Sequence, residues 1–243
     1  MKMTKMTKIL WAAALTTLIA AQPAMADQIK LDGWWSNGTW DANINFSGYN
    51  YHTNANVPVP LHESGGAGGF RTTNLTTGGP SFQSWCVDIF SSFSFPVVSN
   101  DTLTSAATVF NATKADDLVR LYTAHHAAVE NTTSSALDSA AFQLAVWEIV
   151  NETGTNYDLG SGFFTATGTG AAQAATWLST LGATPVSAYS VNVWTVQSMV
   201  SGWGHAQDVA VFAPVPEPET YAMLLAGLGL MGVVARRRKQ QII

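Results

Sequence analysis

The sequence predicts an α+β domain, with β-sandwich-like strands at both ends, a helical insertion between them, and a C-terminal apolar helix after it. Three observations predict it. Residues 27–100 are rich in aromatic and β-branched side chains broken by Gly and Asn turn signals. From about Leu103 to Leu181 the apolar residues recur at helical spacing. Residues 187–213 then return to alternation.

The first strand region carries Trp34, Trp35, Trp40, Ile44, Phe46, Tyr49 and Tyr51. The glycine-rich stretch His62–Gly69 reads as a flexible loop. Ser84 to Phe90 alternates as a strand, placing Trp85, Val87 and Ile89 on one face and Cys86, Asp88 and Phe90 on the other. Leu118, Leu121, Tyr122 and Val129 predict a helix over 114–130, with Asp116 and Asp117 near its positive end. A second helix spans Ser135 to Val150, carrying Leu137, Leu144, Trp147 and Ile149. A shorter third covers Gly170 to Leu181. Tyr189, Val191 and Val193, then Val209, Val211 and Phe212, form the closing strands.

The two chain ends have a different composition. Lys2, Lys5 and Lys8 precede an apolar run from Ile9 to Ala21, and Ala24-Met25-Ala26 is a small-x-small cleavage site. Residues 1–26 therefore read as a signal peptide, with the mature domain over 27–213. Residues 214–243 are a third unit. Pro214 to Glu219 is a stiff extended spacer. Tyr221 to Ala235 is apolar, about 22 Å long as a helix, and short for a bilayer span. Arg236-Arg237-Arg238-Lys239 is a cationic stop that favours the cytoplasmic side.

Pro216-Glu217-Pro218, the glycine-rich apolar segment around Ala226-Gly227-Leu228-Gly229-Leu230, and the cluster Arg236, Arg237 and Arg238 resemble the PEP-CTERM sorting signal. That resemblance implies a Gram-negative bacterium making extracellular polysaccharide. It also implies transient anchoring in the inner membrane through 221–235, and an exosortase as processing partner. The expected destination is the cell surface or the extracellular (biofilm) matrix.

The mature domain holds four strong cations, Lys30, Arg71, Lys114 and Arg120, against fourteen carboxylates. Such a balance disfavours nucleic acid as a partner. No metal-ligand spacing occurs among the five histidines, and His125-His126 point to different faces of a helix, so no metal and no cofactor are expected. Cys86 is the single cysteine, which excludes an internal disulfide. Gln143 shares a helical face with Val146, Trp147 and Val150, so its amide is expected to point into the core and to need partners there.

Trp85-Cys86-Val87-Asp88 on a strand, with Gln143-Leu144-Ala145-Val146-Trp147 on a helix, resembles the thioester domain of bacterial surface adhesins over roughly residues 80–212. Gly204-His205-Ala206-Gln207-Asp208 looks like a further short motif of that family. The resemblance implies a cross-link between Cys86 and Gln143, supported by Trp85, Asp88 and Trp147. It implies covalent attachment to an amine-bearing protein or matrix component as partner. That is a single-use coupling with no catalytic residues, so the chain is not expected to be an enzyme. The alternative is a non-covalent structural or carbohydrate-binding protein of the exopolysaccharide matrix, using tryptophans such as Trp34, Trp35 and Trp40 to stack on sugars. A cysteine hydrolase using His125, His126 or His205 lacks the sequence context of such sites.

Overall fold

The computed structural model describes residues 26–36, 40–46, 49–50, 55–56, 61–168, 170–185 and 189–215, with short helical stretches at 223–224, 226–228 and 230–231. Among the described residues, eleven strands and four α-helices follow one another. Strands β1 (Asp27–Trp34), β2 (Trp40–Phe46), β3 (Tyr49–Asn50), β4 (Ala55–Asn56), β5 (Leu61–Ala67), β6 (Phe70–Asn74), β7 (Phe82–Cys86) and β8 (Phe93–Ser105) come first. Helices α1 (Ala106–Val109), α2 (Ala112–Val129) and α3 (Ala136–Asn151) follow, then β9 (Phe164–Gly168), α4 (Ala171–Ser179) and a 3-10 turn at Leu181–Ala183. Strands β10 (Tyr189–Gly204) and β11 (Val209–Pro214) come last.

The expected sandwich is not what forms. Six strands close into a barrel in the order β1-β6-β7-β11-β10-β8, so the strands from the two ends of the domain share one sheet. Closure needs long, bent strands. β8 and β10 supply them: their ladder runs from Asn192↔Ser105 to Gly204↔Phe93, with register shifts after Val196, Met199 and Ser201. The first two shifts each insert one extra residue in β10 and the third two extra residues in β8, and such irregularities bend a strand and increase its twist. Periodicity reveals the inward face of a strand but not whether its sheet closes, and for that reason the sandwich expectation fails. A second sheet, β5-β2-β9, lies apart from the barrel. Its first strand occupies part of the predicted loop at His62–Gly69, because that run pairs in register with β2 from Ala67↔Trp40 to Leu61↔Phe46. Nor do the described residues contain the expected C-terminal apolar helix: none of their helices is long and apolar enough to cross a membrane. The remainder of 221–235, the signal segment 1–25, Pro216 to Pro218 and Arg236 to Arg238 lie outside the described residues.

The inner face of the barrel mixes apolar and polar residues, whereas its helix-covered outer face is apolar. Ile29 is in register with Asn74 and Ser99, and Leu31 with Thr72 and Val97, so these residues share the inner face. All six are buried. Thr72 and Ser84 satisfy each other inside by a 2.6 Å hydroxyl pair. On the outer face Trp85, Ala210 and Val193 form one row across β7, β11 and β10, and they too are fully buried. Helices cover them. Phe142 of α3 packs on Trp85 with ring centroids 4.4 Å apart, and Tyr122 of α2 stacks on Phe212 at 4.2 Å.

Helix α3 is the central element. Ser135 caps its first turn, its Oγ accepting from the Asp138 amide at 3.0 Å and donating to the Asp138 carboxylate at 2.6 Å. Every residue from Ser139 to Asn151 is buried. A helix apolar on all sides belongs inside a fold. Here the barrel lies on one flank, the second sheet on another and α2 and α4 on the rest. The approach of α4 is close: a Cβ on Gly170 would stand 2.9 Å from the Ala141 backbone nitrogen.

Candidate functional site

The predicted strand over Ser84–Phe90 ends early, at Cys86. The chain then turns away because the Asp88 carboxylate accepts the Phe90 N–H at 2.8 Å, a side-chain mimic of a backbone turn. The two-face alternation expected from Val87 to Phe90 is therefore absent. Strand β6 pairs with β7 only as far as Phe70↔Ser84. Beyond that point the Cys86 backbone needs other partners.

Helix α3 provides them. Gln143 Oε1 accepts the Cys86 N–H at 3.0 Å, and Gln143 Nε2 donates to the Cys86 carbonyl at 2.7 Å. The side-chain amide thus docks on β7 like one residue of an extra strand. Four residues earlier on the helix, Ser139 Oγ accepts the Gly69 N–H at 3.0 Å, just before β6 starts. Ser139 and Gln143 are a polar pair at helical spacing that stitches two sheet edges to the core helix. Both are about 1% exposed, as tightly enclosed as the apolar residues around them.

The structure thus brings Cys86 and Gln143 together, 57 positions apart in sequence. Cys86 is a buried free thiol whose Sγ–H donates to the Asp88 carbonyl at 3.1 Å. Burial pushes this thiol well above the ordinary thiol range, and the nearby negative charge of Asp88 pushes it further. The Trp147 indole N–H pulls the other way. That N–H has no partner at normal hydrogen-bond geometry, yet it lies close enough to the sulfur to favour a thiolate. Trp85, on the other side, backs the site with its ring on Phe142.

The segment Gly204–Asp208 gains a clear structural task. The His205 N–H donates to the Ser92 carbonyl at 3.0 Å, and Gln207 Nε2 donates to the Ser91 carbonyl. The Asp208 carbonyl accepts the Val87 N–H at 3.0 Å, while its carboxylate accepts the Val196 N–H at 2.8 Å. Together they clamp the 87–92 turn that follows Cys86. Gly204 sits at φ +82°, and a Cβ there would fall 2.1 Å from the Ser92 carbonyl oxygen.

Other sequence candidates lie elsewhere. His125 stacks on Trp177 at 4.2 Å, and His126 packs by Tyr122 and Tyr189. Neither hydrogen-bonds to Cys86 or Gln143. Trp34 packs into an aromatic cluster with Phe70 and Phe95. Trp35 uses its indole N–H on the Glu130 carbonyl at 2.8 Å. The Trp40 side chain lies outside the described residues. Among the described residues no group of three or more His, Cys, Asp or Glu is placed to hold a metal ion.

Periodicity alone missed a cavity of about 310 Å³ beside the pair. Gln143 and Trp147 form part of its wall, and Phe90, Phe93, Phe95 and Trp34 form much of the rest. Cys86 does not line it. The run Phe90-Ser91-Ser92-Phe93-Ser94-Phe95 was the available signal, since three phenylalanines in six residues exceed what one short turn needs for its own packing.

Comparison with known proteins places residues 214–239 in the PEP-CTERM protein-sorting motif. The motif implies export, transient anchoring in a membrane and processing by an exosortase. No curated protein and no solved structure matches the chain. The matched motif lies outside residues 80–212 and lends no support to the likeness to the adhesin thioester domain.

Proposed function

We propose that the protein is a surface or matrix component that forms an internal thioester between Cys86 and Gln143 and couples through it to an amine. The observation that supports this reading is the docking of the Gln143 amide on the Cys86 backbone. It holds the acyl group at the backbone of the residue that carries the chain's single thiol. Well-oriented intramolecular pairs gain roughly 7–11 kcal/mol over free reactants.

The chemistry balances as follows. Cys86 Sγ adds to the Gln143 Cδ carbon and gives up its proton. Negative charge develops on Oε1, where the Cys86 N–H already donates. The proton passes to Nε2, the C–N bond breaks and ammonia leaves. An incoming amine later attacks Cδ, the C–S bond breaks, and the amine's proton ends on sulfur. The Trp147 N–H is placed to favour the departing thiolate. The reaction occurs once per molecule and so is not enzymatic turnover. The two lysines of the mature domain are otherwise engaged. Lys30 is paired with Asp32 at 2.5 Å, Lys114 Nζ donates to the Val150 carbonyl, and neither lines the cavity.

Intact mass of the mature protein tests the reading. The expected result is a deficit of one ammonia that Cys86→Ala abolishes. A full mass with a titratable thiol under denaturing, non-reducing conditions would falsify it.

A second reading, non-covalent binding to matrix polysaccharide, is favoured by Trp203 on β10, whose side chain is 69% exposed. It expects retention on polysaccharide to survive Cys86→Ala and to fall in Trp203→Ala.

A further inference from the structure

The cavity next to Gln143 has a chemical character that narrows what can reach it. We infer that the acceptor amine is one carried on an uncharged stem, selected as the neutral free base by a wall that offers no counter-charge. This rests on the thioester reading above and specifies its substrate class.

Three observations carry it. First, the cavity touches Gln143 but not Cys86, which is fully buried. A nucleophile entering here meets the acyl side of the bond, and the sulfur departs into a sealed interior. Second, none of the described lining side chains is charged; they are aromatic, aliphatic, glycyl, seryl or amide groups. Third, the rings of the wall are engaged with one another. Phe70 meets Phe93 at 88° and Phe95 at 79°, Phe93 meets Phe95 at 90°, and Trp34 meets Phe95 at 79°. In such edge-to-face contacts a ring's negative face is taken by a neighbour's positive edge. The cluster is thus an apolar wall, not an open cage for an ammonium ion.

An ammonium group entering this space loses water and gains no carboxylate. Desolvation favours its neutral form, and the neutral form is the nucleophile. A stem bearing a second ammonium, or a carboxylate close to the amine, has to bring that charge along unpaired. The volume is at the small end of ligand cavities, so little water can accompany it. On coupling, the amine nitrogen bonds to Cδ, the C–S bond breaks, and one amine proton moves to Cys86 Sγ. No further reactant is needed.

The test uses the mature protein and four amines at equal concentration: butylamine, benzylamine, 1,4-diaminobutane and 4-aminobutyrate. Coupling is followed by intact mass. Butylamine and benzylamine are expected to couple faster than the two charged-stem amines by about tenfold or more. In Ser92→Asp, which puts a carboxylate into the lining, the diamine is expected to gain on butylamine by a similar factor. A starting mass with the ammonia deficit but equal or reversed rates overturns the selectivity and leaves the thioester standing. Absence of the deficit removes both. An unchanged preference in a folded Ser92→Asp protein that still carries the deficit also counts against the uncharged wall as the cause.

Discussion

Gln143 shows how much one buried amide can be asked to do. Its two polar atoms complete the Cys86 backbone at the place where β6 has stopped. Removing it strands a buried N–H and a buried C=O and leaves a hole. Gln143→Ala is therefore expected to cost roughly 2–5 kcal/mol in a denaturant titration, a loss that should appear even in a Cys86→Ala background. A loss under 1 kcal/mol would mean that water or a backbone shift replaces the amide. The pair itself was legible in the sequence, because a lone cysteine beside a tryptophan and a glutamine on an apolar helical face are both conspicuous. Ser139 was not, since a serine in the first turns of a helix has many ordinary uses. Its partner, Gly69, is recognisable only once β6 is placed. Asp88 orients the turn after Cys86 by taking the Phe90 N–H.

At the scale of elements, the helices were readable and the strands only partly so. α2, α3 and α4 lie within a few residues of the expected spans because their 3.6-residue spacing is long and uninterrupted. The strand predicted through Phe90 failed because alternation continues past Cys86 while the strand ladder does not. The loop predicted at His62–Gly69 failed because glycines that look flexible also allow close strand pairing with β2. The segment Gly204–Asp208 is the element on which the turn after Cys86 depends. Gly204→Ala places a methyl against the Ser92 carbonyl in a conformation that L side chains resist. It is expected to lower stability by about 1–3 kcal/mol and to loosen the 87–92 turn, raising amide hydrogen exchange at Val87 and His205. Unchanged exchange there would show that the clamp is redundant.

For the whole molecule, barrel closure is what the sequence could not state. It depends on register shifts in β8 and β10 that no composition or period reveals. Folding also buries carboxylates. Burial, with the neighbouring Asp208 charge, raises Asp101 from 3.8 to about 7, against a smaller opposing effect of its bond with Ser99. Burial likewise raises Glu148 from 4.5 to about 8. Both groups hold a proton more tightly folded than unfolded. Between about pH 4 and 8 the unfolded chain binds fewer protons, so stability falls as pH rises through that window. The denaturant midpoint is expected to drop from pH 5 to pH 8, and Asp101→Asn to flatten the part below pH 7. A midpoint that rises over this range would contradict the burial of these two carboxylates.

β11 ends at Pro214, the residue at which the sorting motif begins. Its ladder to β7 consists of Val209↔Cys86 and Ala210↔Trp85. While the tail is held in a membrane, any tension along the chain enters β11 at Pro214 and loads first its ladder to β10, which starts at Tyr189↔Pro214, whereas the two rungs to β7 lie at the far end of the strand. A tug from the cell would thus have to peel most of β11 from β10 before it reached the strand that carries the thiol, so the Cys86 end of the barrel is shielded longest.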